Sequence, residues 1–212
     1  MCFSATASFT LGSILLIGGT YAIVGAIKET PYFVPIAVYP IAFGIQQIFE
    51  GGVWVNLLNS SVEATQPLAF GFLFFSHLFW PFWVPFSVFW LEKRSLNKWL
   101  LSALTIIGEL FGASIYFPLF LNDWMQVGLE KGHIAYETIL LYDGLVSQTV
   151  VRLFYAALIL VSLFMAKEKS IKVLGVLILI SMLATFFLYE SVLFISVWCF
   201  FAAIISTSVF GQ

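Results

Sequence analysis

Charge is what this chain has least of. Of its 212 residues only 9% are Asp, Glu, Lys or Arg, against roughly 25% in an ordinary soluble domain, while 61% are hydrophobic. A soluble fold has no interior large enough to hide so much apolar surface, which leaves a lipid bilayer as the solvent. Basic residues are too few and too scattered, at a formal net charge of -2, to form the stripe that nucleic-acid binding uses; no nucleic-acid partner is expected. Cysteine is nearly absent as well. Cys2 and Cys199 alone cannot make a disulfide framework, and the redox compartment stays open. The only histidines are His77 and His133, too few for a catalytic three-histidine zinc site. The opening residues carry no basic n-region of a secretory signal, so the first apolar run is expected to be retained. No internal repeat and no low-complexity segment is present.

What fills the chain instead is a series of apolar runs, each near the roughly 20 residues that cross a bilayer as a helix. Breaks at Lys28–Pro31, Asn59–Pro67, Glu92–Ser95, Asn122–Asp143, Lys167–Lys169 and Tyr189–Ser191 separate seven runs, at roughly 9–28, 33–58, 68–91, 98–118, 146–166, 171–189 and 191–210. The expected fold class is therefore all-α: a polytopic membrane protein whose residues 1–212 form one seven-helix bundle, with membrane lipids as its surroundings. Only the fourth connection is long, and its stretch Trp124–Tyr142 has room for a short surface helix. Lys and Arg favour the cytoplasmic side. Lys28, Lys93, Arg94, Lys98, Lys167, Lys169 and Lys172 fall in or beside the odd-numbered connections, and only Lys131 in an even one. This places the N-terminus outside and the C-terminus in the cytoplasm.

An ionisable group inside a spanning helix is costly unless it faces protein or water, which marks it as a candidate for function. Glu50, His77 and Glu109 fall at similar depth, roughly 12 to 14 Å below the outer surface at 1.5 Å per residue; Arg152 is slightly shallower and Cys199 lies near the same level. One polar cavity in the outer half would accommodate them, with Cys2 at its mouth. Helix spacing supports this: Gln46, Gln47, Glu50 and Trp54 share a stripe, as do Ser102, Thr105 and Glu109, and Gln148, Arg152 and Tyr155. Pro81 cannot donate to the His77 carbonyl, leaving an acceptor that needs another partner. In a catalytic reading Cys2 is nucleophile, Glu50 general base and His77 acid or base. In a metal reading Cys2, Glu50, His77 and His133 supply a mixed site for zinc or another transition metal. In a binding reading Gln46, Gln47, Trp80, Glu109, His133, Arg152 and Trp198 line a ligand site. Plainer readings stand beside these: an ion pair of Arg152 with Glu50 or Glu109 that only holds helices together, a hydrogen-bonded core His77, Cys199 as small packing material, and Leu78–Pro85 as lipid-facing and packing aromatics at helix kinks.

Five blocks carry a resemblance: Met1-Cys2-Phe3-Ser4-Ala5; Phe43-Gly44-Ile45-Gln46-Gln47 with Glu50-Gly51 and Trp54; Trp80-Pro81 with Trp83-Val84-Pro85; His133-Ile134 with Tyr136; and Val197-Trp198-Cys199-Phe200-Phe201. Together they resemble an uncharacterised family of small bacterial multi-pass membrane proteins. The resemblance implies a bacterial inner-membrane location and marks Cys2, Gln46, Gln47, Glu50, His133, Trp198 and Cys199 without assigning them roles. Three function classes remain: a protein that binds or senses a small ligand, lipid or ion; a membrane-embedded, metal-dependent hydrolase or transferase acting on an amphiphile; and a structural accessory subunit.

Overall fold

Long apolar runs of the length seen here satisfy their backbone hydrogen bonds internally as helices. The computed structural model describes residues 4–130, 132–188, 198–199, 201–203 and 206. Seven helices carry labels here: α1 (Ala5–Glu29), α2 (Val34–Leu58), α3 (Val62–Leu73), α4 (Trp80–Leu91), α5 (Ser95–Asn122), α6 (Gln148–Met165) and α7 (Lys169–Leu188). A wider turn, Phe74–Phe79, joins α3 to α4 within one apolar stretch, Glu63–Leu91. Among the described residues six helical stretches are long and apolar enough to cross a membrane. Of the seventh expected run, 191–210, residues 198–199, 201–203 and 206 are helical, and the break at Glu190 lies outside the described residues, as does Cys2.

Helix starts shift where capping chemistry allows. α1 begins at Ala5 rather than near 9 because the Ser4 hydroxyl accepts the Ala7 N–H at 3.2 Å, satisfying one of the orphan donors of a helix N-terminus. Pro67 and Pro118 are carried inside α3 and α5, which therefore start earlier and end later than the breaks in hydrophobicity suggest.

The all-α expectation needs one correction. The long connection does not hold a surface helix; it folds into an antiparallel hairpin of β1 (Met125–Glu130) and β2 (His133–Thr138), with Glu130 paired to His133 and Val127 to Tyr136. Gly132, at φ +78, supplies the left-handed conformation that a two-residue hairpin turn needs. The β-branched and aromatic residues of His-Ile-Ala-Tyr-Glu-Thr favour a strand over a helix. The hairpin is not a surface ornament. Met125, Ile134 and Tyr136 are buried, packed with Val53, Trp54, Phe72 and Leu119 in a cluster at the even-connection end of the bundle, and the Tyr136 ring stacks on Phe72 with centroids 4.9 Å apart.

At the opposite end the first, third and fifth connections meet. Lys93 Nζ lies 5.9 Å from the Tyr32 ring centroid, and Glu92 adjoins Lys167 across a small crevice. The odd and even connections thus sit at opposite ends of the bundle. Close approach between helices relies on glycine. A Cβ on Gly12 would lie 3.0 Å from the Gly44 carbonyl oxygen, where α1 meets α2, and one on Gly108 would overlap the Pro81 carbonyl oxygen, where α5 meets α4.

Candidate ligand-binding core

Polar side chains collect where the hairpin meets the bundle. On α2, Gln46, Gln47 and Glu50 are all fully buried, one helical turn apart on a common face. Gln47 Nε2 donates to Glu50 Oε2 at 3.0 Å, and Trp80 Nε1 on α4 donates to Gln46 Oε1 at 2.9 Å. Trp80 is itself fixed by stacking on Phe43, centroids 3.9 Å apart. The hairpin contributes Tyr136, whose phenol has Glu50 and Cys199 as charge neighbours. Burial first, and then those two groups, push its pKa well above the ordinary range, so Tyr136 stays a neutral hydroxyl at any physiological pH. Cys199 adjoins both Glu50 and Gln46.

Several of these groups have bonding capacity that the protein does not use. Among the described residues Gln47 Oε1, Trp54 Nε1 and Tyr136 Oη are buried without a hydrogen-bond partner, while the Gln46 amide has the Cys199 sulfur beside it. A buried polar atom left unsatisfied costs about 1–3 kcal/mol, and native interiors hold few of them. Here donors and acceptors occur together on α2 and the facing hairpin.

Beside this core, α5, α6 and the wide turn enclose a cavity of about 70 Å³, whose walls include His77, Ser76, Gln148, Arg152, Phe111 and Cys199. His77 Nδ1 and Ser76 Oγ are 2.9 Å apart, and Arg152 Nη2 donates to Gln148 Oε1 at 3.2 Å. Gln148 Nε2 in turn donates to the Thr138 carbonyl at 3.3 Å, tying the start of α6 to the end of β2. Cys199 and Trp198 line the same cavity, so it borders the Glu50 core.

The wide turn answers the question posed by Pro81. Trp80 N–H bonds to the Phe75 carbonyl five residues back, opening the helix by one residue ahead of the proline. The His77 carbonyl lies against Gly112 of α5, where a Cβ would stand only 2.8 Å away. That close backbone approach leaves no room for a side chain at position 112.

Of the residues singled out from sequence, Gln46, Gln47, Glu50 and Trp80 come together in the core, and His77, Arg152 and Trp198 line the adjoining cavity. His133 is buried at the start of β2, where desolvation lowers its pKa and favours the neutral ring. Glu109 does not join them. It lies exposed on the outer face of α5 beside the exposed Ile106 and Leu110, which rules it out as the partner of Arg152 in a buried ion pair. Among the described residues no three His, Cys, Asp or Glu side chains group as they would around a metal ion; Cys2, the fourth member of the expected metal set, lies outside those residues. Sequence reasoning missed the weight of Tyr136, which it placed on a loop, and the buried pair Tyr39 Oη···Ser87 Oγ at 2.6 Å. Alternation in the hairpin strands was the signal for the first; no pattern announced the second.

No curated protein and no solved structure matches this sequence. Over residues 1–212 the chain matches, and therefore belongs to, a family of unknown function, DUF6629.

Proposed function

We propose that this chain is a multi-pass protein of the bacterial inner membrane, amino terminus outside, that binds a small polar or amphipathic ligand in the core beneath the hairpin and acts as a sensor or carrier. The observation that carries the reading is the set of unused donors and acceptors on Gln47, Trp54 and Tyr136 around the Glu50 carboxyl. A network selected only to hold helices together gains from pairing each member, because a partly satisfied network is worse than an apolar one. Capacity held open at a stability cost is what a binding site displays.

Tyr136→Phe tests this directly. If the hydroxyl serves a ligand, its removal leaves the empty protein as stable as before or stabilises it by about 1 kcal/mol, since an unsatisfied buried group is lost. At the same time a bound mass seen by native mass spectrometry of the purified wild type should disappear. A fall in thermal midpoint with no bound mass in either protein would instead support the structural reading. The metal-dependent alternative requires Cys2 to complete a site with Glu50 and a histidine. Elemental analysis of protein purified without added metal decides it: stoichiometric zinc that Cys2→Ala removes would favour the hydrolase or transferase reading.

A further inference from the structure

We propose, on the basis of that reading, that the cavity beside the core takes the oxyanion head of a single-chain amphiphile, which enters from the bilayer between α5 and α6. Arg152 is the recognition element. Its planar guanidinium suits a carboxylate or phosphate, and it is held in place by the bonds from Arg152 to Gln148 and from Gln148 to the Thr138 carbonyl. Positioned donors of this kind select for geometry as well as charge.

The cavity's size and wall define the rest of the ligand. At about 70 Å³, on a scale where one water needs roughly 10–15 Å³, it has room for a headgroup. Aromatic rings of α5 and α6 meet beside the cavity. Phe111 on α5 lines the cavity and meets Phe154 on α6 edge to face, with centroids 5.0 Å apart. Phe154 is 45% exposed on the apolar surface, flanked by exposed Ile107, Leu110 and Leu153. A head at Arg152 would place its chain through this seam onto those residues.

Charge separates a lipid-borne anion from a dissolved one. The hairpin end of the bundle exposes Glu63, Asp123, Glu137 and Asp143, a negative rim that lowers the local concentration of free anions. An amphiphile arriving through the bilayer never crosses that rim, which favours it as the source of the oxyanion.

The test uses the full-length protein in nanodiscs of zwitterionic phospholipid and radiolabelled oleate. The expected result is saturable binding of one oleate per chain, at least tenfold weaker for Arg152→Gln, partly restored in Arg152→Lys and unchanged in Glu109→Gln. Oleyl alcohol should compete at least tenfold less well than unlabelled oleate, and acetate and inorganic phosphate should not compete. A diazirine-bearing fatty acid should label wild-type peptides around Phe111 and Phe154, a readout that does not depend on whether the Arg152 variants fold. Absence of saturable binding, labelling elsewhere, or equal competition by the alcohol, acetate or phosphate would overturn the proposal. A co-purifying mass that Tyr136→Phe removes, without oleate binding, would overturn it while leaving the broader ligand-binding reading intact; absence of both would remove both.

Discussion

At the scale of single residues the packing rests on places where no side chain is permitted. On α5, Gly108 and Gly112 face the Pro81 and His77 carbonyls: a Cβ on Gly108 would overlap the first, and one on Gly112 would stand 2.8 Å from the second. Because those neighbours are backbone, they cannot swing aside. Gly108→Ala is expected to destabilise the protein by about 3 kcal/mol, at the upper end of overpacking costs, and Gly112→Ala by somewhat less. Gly25→Ala provides the control: nothing stands within 4 Å of its Cβ position, and removing a helical glycine stabilises by roughly 0.5–1 kcal/mol. Thermal unfolding in one detergent would read all three, and equal midpoints for Gly25→Ala and Gly108→Ala would contradict the contact. The same scale explains why Glu109 misled the sequence reading. Its spacing from Ser102 and Thr105 is that of a shared stripe, and depth along a helix is legible from a sequence. Which neighbour that stripe faces is decided by the α4–α5 contact, and the glycines 108 and 112 turn Glu109 outward.

Elements show the same division. Alternation and a glycine in the fourth connection belong to a hairpin, yet in a chain dominated by helix signals the polar stretch reads as a surface segment. Its burial depends on Phe72, Val53 and Leu119, three residues on three other elements that no local pattern links. Gly132→Val places a β-branched residue at φ +78, a conformation that costs it about 1–2 kcal/mol. The β2 amides are then expected to exchange faster while α2 and α5 keep their protection, and uniform loss of protection would show that the hairpin is not a separable lid. The third connection carries a different device. Glu92 Oε1 accepts the backbone N–H groups of Lys93 and Arg94 at 2.8 Å and Oε2 the Asn97 side-chain amide N–H at 3.3 Å, fixing the turn that leads into α5. Burial alone would raise its pKa, but these bonds together with the Lys167 charge bring it below its ordinary 4.5. The folded state therefore takes up this proton less readily than the unfolded one, so the stabilisation is complete above the ordinary value and is lost as pH falls through the lower, folded one. Glu92→Gln should cost about 1 kcal/mol near neutral pH, the usual net worth of a hydrogen bond, and should remove that part of the acid sensitivity in unfolding curves taken below pH 5.

For the whole molecule, orientation follows from how charge is divided between the two ends. One end gathers the basic residues Lys93, Arg94, Lys98, Lys167, Lys169 and Lys172 near the first, third and fifth connections; the other carries the hairpin and its acids. Lys and Arg in short connections resist translocation, so the proposed orientation, with the basic end in the cytoplasm and the hairpin outside, is the one this division of charge supports, and it is open to test. Leu145 and Leu96 give a direct reading, being 85% and 71% exposed beside the hairpin and at the start of α5. In a Cys2→Ser background, a membrane-impermeant maleimide added to intact spheroplasts is expected to label Leu145→Cys at once and Leu96→Cys only after the membrane is permeabilised. The reverse pattern would place the hairpin in the cytoplasm. It would also move the negative rim to the side where anionic metabolites are abundant, removing the argument that the ligand must come through the bilayer and leaving the α5–α6 seam as packing alone.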